Sequence, residues 1–506
     1  MSLIGIDVGS STVKTAAYQS DGRLLAVARE AVVPRRPKPG WWENDPGEVW
    51  AATLKTLGRV VRARAVKQDL PVVIAVSASG REGFPVDEEG LPLGPCIMTA
   101  DIRGEELEKS SAAHMSPDDW YQVCGHIPER MDPANRFLWW RQHYPGVMDR
   151  TRYFLGWHEF LTLRLGGRAV TDHSLGSKWF TYDLAHRGWS LRRLAEFHLD
   201  PRMLPEIEPW GKPVATLKAS LAAELGVPAT VQIAVGALDS TCAAVGSGAS
   251  SDGICGLLCG SWEDLLVPTQ NPLSSAALIT VGCTFGPHPG TAGSAVLALS
   301  PNGTTIVDWA RSLLRIPFRK LEAALQASGP QPSPVLAIPH YSGATIPWRN
   351  ARRSRGSLVG LTLASSKTDV IKALMEGIFF DLLLTMNALR QAGVEIQVLR
   401  ASGGGTRSDW WMQLKADLSS LPVEVISQPE PGTVGAALLA GLATGTFSTL
   451  EEGAKLFITT ARRYEPNPAR ARLYEERLAA YRTTISSLLG LDWLKGAHET
   501  GTTGFE

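Results

Sequence analysis

The chain has 506 residues, 44% of them hydrophobic and 20% charged. That is enough apolar side chain for a full core and excludes disorder or coiled coil for the whole. Fifty Lys and Arg balance fifty Asp and Glu, and a net charge of zero is not the footprint of a nucleic-acid or polybasic membrane partner. The strand-like run Leu3-Ile4-Gly5-Ile6-Asp7 opens the chain with no basic-then-apolar leader before it. Thr12 to Tyr18 and Arg23 to Ala28 follow as a hairpin turned by Ser20-Asp21-Gly22. Helical spacing runs from Glu48 to Val66, and Val72 to Val76 reads as a buried strand. From about 105 to 225 the pattern is mainly helical, and Val231 to Val235 is another buried strand.

A second beginning comes near residue 254. Ile254 to Leu258, the turn Cys259-Gly260-Ser261 and the returning strand Asp264 to Val267 repeat the layout of Leu3 to Ile6, Gly9-Ser10-Ser11 and Val13 to Thr15. Two such hairpins about 250 residues apart predict two related domains of about that size. Asp369 to Arg390 carries Ile371, Leu374, Ile378, Leu382, Met386 and Leu389 at helical spacing, and Asn467 to Leu489 is helical as well. The six cysteines, Cys96, Cys124, Cys242, Cys255, Cys259 and Cys283, form no CxxC pair and are expected as free buried thiols. No run of about 20 apolar residues is present, so no membrane span and a cytoplasmic protein are expected.

Three segments carry chemistry. Asp7-Val8-Gly9-Ser10-Ser11-Thr12-Val13-Lys14 joins a tight glycine turn to hydroxyls, a lysine and a carboxylate, which suits phosphate oxygens and Mg²⁺ as well as an ordinary hairpin. Gly236-Ala237-Leu238-Asp239-Ser240 places a carboxylate between a buried strand and a small-residue helix, either as a general base or as an N-cap. Ser402-Gly403-Gly404-Gly405, before a helix opening near Ser408-Asp409, permits close backbone approach to a flat or phosphorylated ligand. Neither GxGxxG nor GxxxxGK[ST] occurs at these places, which argues against a Rossmann or P-loop site.

Taken together, these segments resemble the FGGY carbohydrate kinases of the actin-like ATPase superfamily. Gly356 to Thr362, continuing through Asp369, Ala373, Leu374, Met375 and Glu376, is similar to the family's C-terminal signature. Pro133 to His143 is similar to its N-terminal signature, with Arg136 where lysine is usual and Trp140 where an aliphatic residue is usual. Trp42 to Trp50 and Pro339 to Pro347 are further family-like stretches.

The resemblance implies an α/β fold of two actin-like (ribonuclease H-like) domains with a central cleft. The expected boundaries are 1–248 for sugar and first phosphate loop, 249–490 for nucleotide, and 491–506 as a polar tail. It implies an ATP- and Mg²⁺-dependent kinase, with Asp239 as the catalytic base and Asp7 on the metal side. Ser10, Ser11 and Lys14, then Gly260 and Ser261, would form the two phosphate loops. Gly303 and Thr304 would line the phosphate path, and Gly404, Gly405 and Ser408 the adenosine site. Gly80, Arg81, Glu82, Asp101, Arg103 and Trp157 would face the sugar, although Arg81-Glu82 could equally be a structural ion pair. The implied substrate is a ketopentose or related ketose. A polyol, a 6-deoxy-ketohexose or an autoinducer-2-like ligand are the alternatives, and a non-catalytic actin-like sugar sensor is the alternative of another class. A homodimer is one assembly compatible with this reading.

Overall fold

A computed structural model describes residues 1–270, 275–291, 293–346 and 354–489. The segment 491–506, and Pro347 at the end of one family-like stretch, lie outside them. The chain divides into two compact units. The first is Met1–Ser251 with Phe285–Ala295 and Glu430–Ile458; the second is Asp252–Thr284 with Val296–Pro429 and the chain from Thr459 on.

The first unit is built on β1 (Ser2–Val8), β2 (Thr12–Gln19), β3 (Leu24–Ala31), β4 (Pro71–Ala78), β5 (Pro213–Thr216) and β6 (Gln232–Leu238), in the order β5-β6-β4-β1-β2-β3. Strands β1, β4 and β6 are parallel, while β1 and β2 form the antiparallel hairpin read from the sequence. Side chains alternate across β1 as a strand requires. Ile4, Ile6 and Val8 join a core with Leu57 and Val60 of helix α1 (Pro46–Val61) and with Trp157 and Phe160 of α2 (Trp157–Gly166). Leu3 faces the other layer, with Val434, Leu438 and Leu439. Asp45 starts α1 by accepting from the N–H groups of Gly47 and Glu48. The helix predicted from Glu48 to Val66 ends at Val61, and a short second one, Arg64–Gln68, follows.

In the second unit, β7 (Gly253–Cys259), β8 (Glu263–Thr269), β9 (Ser294–Ser300), β10 (Ile396–Ser402), β11 (Val423–Ile426) and β12 (Thr460–Tyr464) follow the order β9-β8-β7-β10-β11-β12. Here too a hairpin, β7–β8, is continued by two parallel pairings and closed by an antiparallel strand. Both sheets set a hairpin beside two parallel strands, so the turns Gly9-Ser10-Ser11 and Gly260-Ser261 occupy equivalent places; the sheets differ at the far edge, where β5 precedes β6 in the chain but β12 follows β11. Helix α4 (Lys367–Gln391) carries the predicted apolar face and begins with a Ser366–Asp369 capping box.

Residues 430–458 fall with the first unit rather than inside an unbroken 249–490 domain. Glycine is the physical reason. Helix α6 (Pro431–Ala443) lies so close to β1 that a Cβ on Gly5 would sit 2.1 Å from the Thr433 carbonyl oxygen. It crosses α3 (Asp239–Val245) equally closely: a Cβ on Gly435 would lie 1.9 Å from the Cys242 oxygen, and one on Gly246 2.0 Å from the Pro431 oxygen. Both obstacles are backbone, which cannot swing aside. We expect Gly435→Ala to lower stability by about 2–3 kcal/mol despite alanine's better helix propensity. A denaturant midpoint equal to the wild type's would contradict this packing.

All six cysteines are buried and free, as expected. Among the described residues, no helix is long and apolar enough to cross a membrane.

Candidate functional site

Gly80-Arg81-Glu82 after β4, Asp239 after β6, Gly260-Ser261 after β7 and Gly404-Gly405 after β10 follow the carboxyl ends of parallel strands, where open α/β sheets bind ligands. In the first unit, parallel register sets Ser77 of β4 opposite Asp7 of β1. The Ser77 hydroxyl donates to Asp7 Oδ1 at 2.8 Å. Lys14, across the hairpin from Asp7, places Nζ 3.6 Å from Asp7 Oδ2 and 2.9 Å from Glu430 Oε2. Arg29 also binds Glu430. Burial, opposed by Lys14, raises the Asp7 pKa. The charges of Asp7 and Glu430 overcome burial and raise that of Lys14. Glu430 is a functional-site neighbour that sequence reasoning missed, because 416 residues separate it from Lys14.

Asp239 owes its position to an irregularity in β6. The pairing of β6 with β4 shifts between Ala234 and Ala237, a bulge that re-aims the strand end. His158 fills it. Its Nδ1 bonds the Val170 carbonyl at 3.1 Å, and its Nε2 accepts from the Gly236 N–H at 3.1 Å. The ring is therefore neutral, in keeping with a pKa that burial pushes down to about 4. The Leu238 N–H then donates to the Ser174 hydroxyl at 3.0 Å. Asp239 is the first residue of α3, and the position before it, Leu238, makes no side-chain cap. Asp239 Oδ1 accepts from the Ser240 N–H at 2.6 Å, and no hydrogen bond to Oδ2 is found among the described residues. Burial first, then the charges of Asp7 and Glu82, push its pKa up to about 7. A helix cap gains nothing from such a shift, whereas a proton acceptor working near neutrality does.

Beside it, β4 leads into Gly80-Arg81-Glu82. Glu82 accepts from the Arg81 backbone N–H at 3.0 Å and from the Thr99 hydroxyl at 2.6 Å. The structure holds no Arg81–Glu82 side-chain ion pair among the described residues, which removes that alternative. Ser79, Gly80, Glu82, Gly156, Glu159 and Trp179 line a recess here. Glu159 was not foreseen; burial raises its pKa to about 7.

Two expectations change. Trp157 is fully buried against Phe84, with ring centroids 5.2 Å apart, so it offers no open face to a sugar; Trp179 is the indole that lines the recess. Trp157 sits inside because it opens α2 where that helix packs under the sheet. Asp101 and Arg103 are committed to each other. Arg103 binds both Asp101 oxygens at 2.9 and 2.5 Å and Glu43 at 2.6 Å, and stacks 4.0 Å over Trp41. The unusual Arg136, also buried, donates to the carbonyls of Met98 and Asp101 at 3.1 Å. This closed network supports the loop; its bonds already satisfy the groups expected to face the sugar.

In the second unit, Gly260-Ser261 and Gly303-Thr304 clasp one another. The Gly260 carbonyl accepts from both the N–H and the hydroxyl of Thr304 at 2.9 Å, and Thr305 reaches the Ser261 carbonyl at 3.3 Å. A Cβ on Gly303 would lie 2.6 Å from the Ser261 oxygen, so only glycine fits. After β10, Gly404 and Gly405 lie in a 3₁₀ turn, and Ser408 caps α5 (Asp409–Ser419) through the Trp411 N–H at 3.2 Å. Glu322 accepts from the Ser408 hydroxyl at 2.7 Å and the Trp410 N–H at 3.0 Å. Phe318, Leu321, Met375, Gly404, Gly405 and Arg407 are among the walls of a recess here.

Comparison with known proteins gives this arrangement its family. Residues 2–246 match the N-terminal domain of the FGGY family of carbohydrate kinases, and residues 256–444 match its C-terminal domain. The chain belongs to the FGGY family of carbohydrate kinases. It is an ATP-dependent phosphotransferase that acts on a sugar. A xylulose kinase of Staphylococcus epidermidis is 25% identical over 484 residues, 95% of each chain. An L-xylulose/3-keto-L-gulonate kinase of Escherichia coli is 23% identical over 494 residues, covering 96% of this chain and 97% of that one. The solved xylulose kinase of Lactobacillus acidophilus superimposes with a TM-score of 0.86 at 23% identity, covering 97% of this kinase and 98% of that chain. The ADP-bound glycerol kinase of Plasmodium falciparum gives 0.86 at 20% identity, with the same coverage. At this identity the structural likeness establishes the fold.

Proposed function

We propose that the kinase transfers the γ-phosphoryl group of ATP to a hydroxyl of a small ketose, a ketopentose or related sugar, with Asp239 as general base. The observation that carries the reading is the Asp239 carboxylate itself. It has one oxygen held by Ser240, the other without a hydrogen bond among the described residues, and a pKa of about 7. The sugar oxygen attacks phosphorus as the bond to ADP breaks, and Asp239 receives the hydroxyl proton. Such transfer needs positioning and charge neutralisation more than covalent help. Ser10, Ser11 and Lys14 on one hairpin, Gly260 and Ser261 on the equivalent one, and Gly303 and Thr304 at the helix start bonded to it, supply donors for phosphate oxygens. Gly404, Gly405 and Ser408 line the recess suited to adenosine.

Asp7 fits the metal side. Gly432 packs directly against its carboxylate, a Cβ there standing 2.8 Å from Cγ, and its polar neighbours among the described residues are the Ser77 hydroxyl and the Lys14 ammonium. Mg²⁺ held there with the phosphates would supply electrostatic relief of their charge. Gly80, Arg81 and Glu82 are assigned to the hydroxyls of the sugar, and Asp101 and Arg103 to holding their own segment against Trp42 and Glu43.

Release of ADP, followed by a coupled assay across ketopentoses, ketohexoses, 6-deoxy-ketohexoses and polyols, tests this reading. A ketose is expected to stimulate release at least about 100-fold over ATP alone. Stimulation by no sugar would favour the non-catalytic sensor.

A further inference from the structure

The bulge that aims Asp239 is gripped twice from one stretch of chain, Val170 to Ser174. Val170 and Thr171 form a two-residue strand, and His173–Gly176 is a single helical turn just after it. The Val170 carbonyl accepts from His158 Nδ1, which fixes the ring whose Nε2 accepts from the Gly236 N–H. Four residues on, the Ser174 hydroxyl accepts from the Leu238 N–H at 3.0 Å. That hydroxyl is not free to turn. Asp172 Oδ1 accepts from the Ser174 N–H at 2.6 Å and from the Trp210 indole N–H at 2.8 Å, two groups that can only donate. Oδ1 is therefore an acceptor. The Ser174 hydroxyl, bonded to the same oxygen, donates its proton there and turns a lone pair toward Leu238.

Capping the one-turn helix accounts for the bond from the Ser174 N–H, but not for the choice of Asp172. Serine or asparagine caps a helix as well. The Asp172 side chain is 0% exposed, and its Oδ2 is buried with no hydrogen-bond partner among the described residues. A carboxylate so placed is costly to stability, and such a group calls for a reason. What it adds here is a fixed direction for the Ser174 hydroxyl, which in turn fixes the amide of the residue directly before Asp239. We propose that Ser174 and Asp172 are positioning residues for the base, holding the end of β6 so that the Asp239 carboxylate stays in line for proton transfer. Both act through the Leu238 amide and not on the substrate itself. This rests on the Asp239 reading above and adds to it the groups that keep the base in place.

The test is a double-mutant cycle on the rate of phosphoryl transfer in a single turnover, stopped by rapid quench, with the best sugar of the ADP-release panel. Ser174→Ala leaves the buried Leu238 N–H without its acceptor, and a base displaced by about 1 Å should lose about 30-fold in rate. The dissociation constants of ATP and sugar should stay within about 3-fold of wild type. Asp172→Ala frees the hydroxyl to turn and should cost about 10-fold in the same rate. In the Asp239→Asn background, Ser174→Ala should cost less than about 3-fold more, because the group it positions no longer takes a proton. An equal cost in both backgrounds overturns the proposal, since it marks a general loss of structure. So does a Ser174→Ala rate within 3-fold of wild type. Should the alanine variant not fold, Ser174→Cys, whose thiol is a weaker acceptor, runs the same cycle with a smaller loss. A crystal structure gives a second readout: the Asp239 carboxylate of the Ser174 variant is expected to shift by about 1 Å, and an unmoved one overturns the proposal. Failure of the base reading looks different, because Asp239→Asn alone would then transfer at the wild-type rate.

Discussion

Asp239→Asn should abolish nearly all turnover, lowering kcat by about 10³-fold while the sugar's dissociation constant stays within a few-fold. The amide keeps the size of the side chain and its bond from the Ser240 N–H, and removes only the ability to take a proton. The wild-type pH profile carries the same signature. Because the base must be ionised and burial holds its pKa near 7, kcat/KM for the sugar should rise through that pH and level off above it. The stability effect has the opposite direction. A carboxyl whose pKa is higher folded than unfolded binds extra protons in the native state, so it loses stability as pH rises from about 4 to about 7. The amide does not titrate and escapes that loss, so the variant should be more stable than wild type above pH 7, by about 2 kcal/mol given partial solvent access, and equal to it near pH 4. A variant that is inactive and also destabilised at pH 8 would indicate damage to α3 instead.

Lys415→Met should cost about 3–5 kcal/mol of stability and weaken ATP binding. Lys415 of α5 and Glu263 of β8 form an ion pair in which both side chains are 0% exposed. The ammonium also lies 4.3 Å over Trp411 and 5.1 Å over Phe379. Cys259 stands against both groups, 3.5 Å from Glu263 and 3.9 Å from Lys415, and is the residue just before Gly260. Its carbonyl and Cβ are also what Gly403 and Gly405 pack on, at 2.6 and 2.9 Å from their hypothetical Cβ positions. The pair therefore sits beneath both of the loops proposed for the nucleotide. Without Lys415, Glu263 keeps a buried charge whose second oxygen already lacks a partner. Lys415→Met combined with Glu263→Leu should recover most of the stability, because the desolvation cost leaves with the pair. Chemical denaturation reads the first effect and KM for ATP the second; a double variant no more stable than Lys415→Met alone would contradict the pairing.

The sequence patterns that proved readable are local ones. The hairpins at Gly9-Ser10-Ser11 and Gly260-Ser261, the strand leading to Asp239 and the long helix α4 all follow from periodicity and turn chemistry over ten to thirty residues. The hairpin beside two parallel strands that both sheets contain agrees with the internal repeat, while their edge strands differ in chain order. What escaped depends on distance along the chain. Glu430 against Lys14, Glu263 against Lys415 and Glu322 against Ser408 are charge or cap partners from remote segments, and no spacing rule joins them. The small residues of Pro431–Ala443 gave no sign of which sheet they would cover; Gly5, Gly246 and Gly435 decide it by permitting backbone contact. Trp157 misled because an indole after a strand suits a binding face or a core equally, and only the packing of α2 chooses. Asp101 and Arg103 were located by resemblance, but their mutual pairing became visible only with Glu43 and Trp41 in place.

The most direct test of the account is ³¹P NMR of the purified kinase with ATP, Mg²⁺ and the best sugar from the panel. Phosphoryl transfer to that sugar predicts a phosphate monoester growing in equal amount with ADP, and neither product with Asp239→Asn. Inorganic phosphate in place of the ester, or ester formation undiminished in Asp239→Asn, would contradict it.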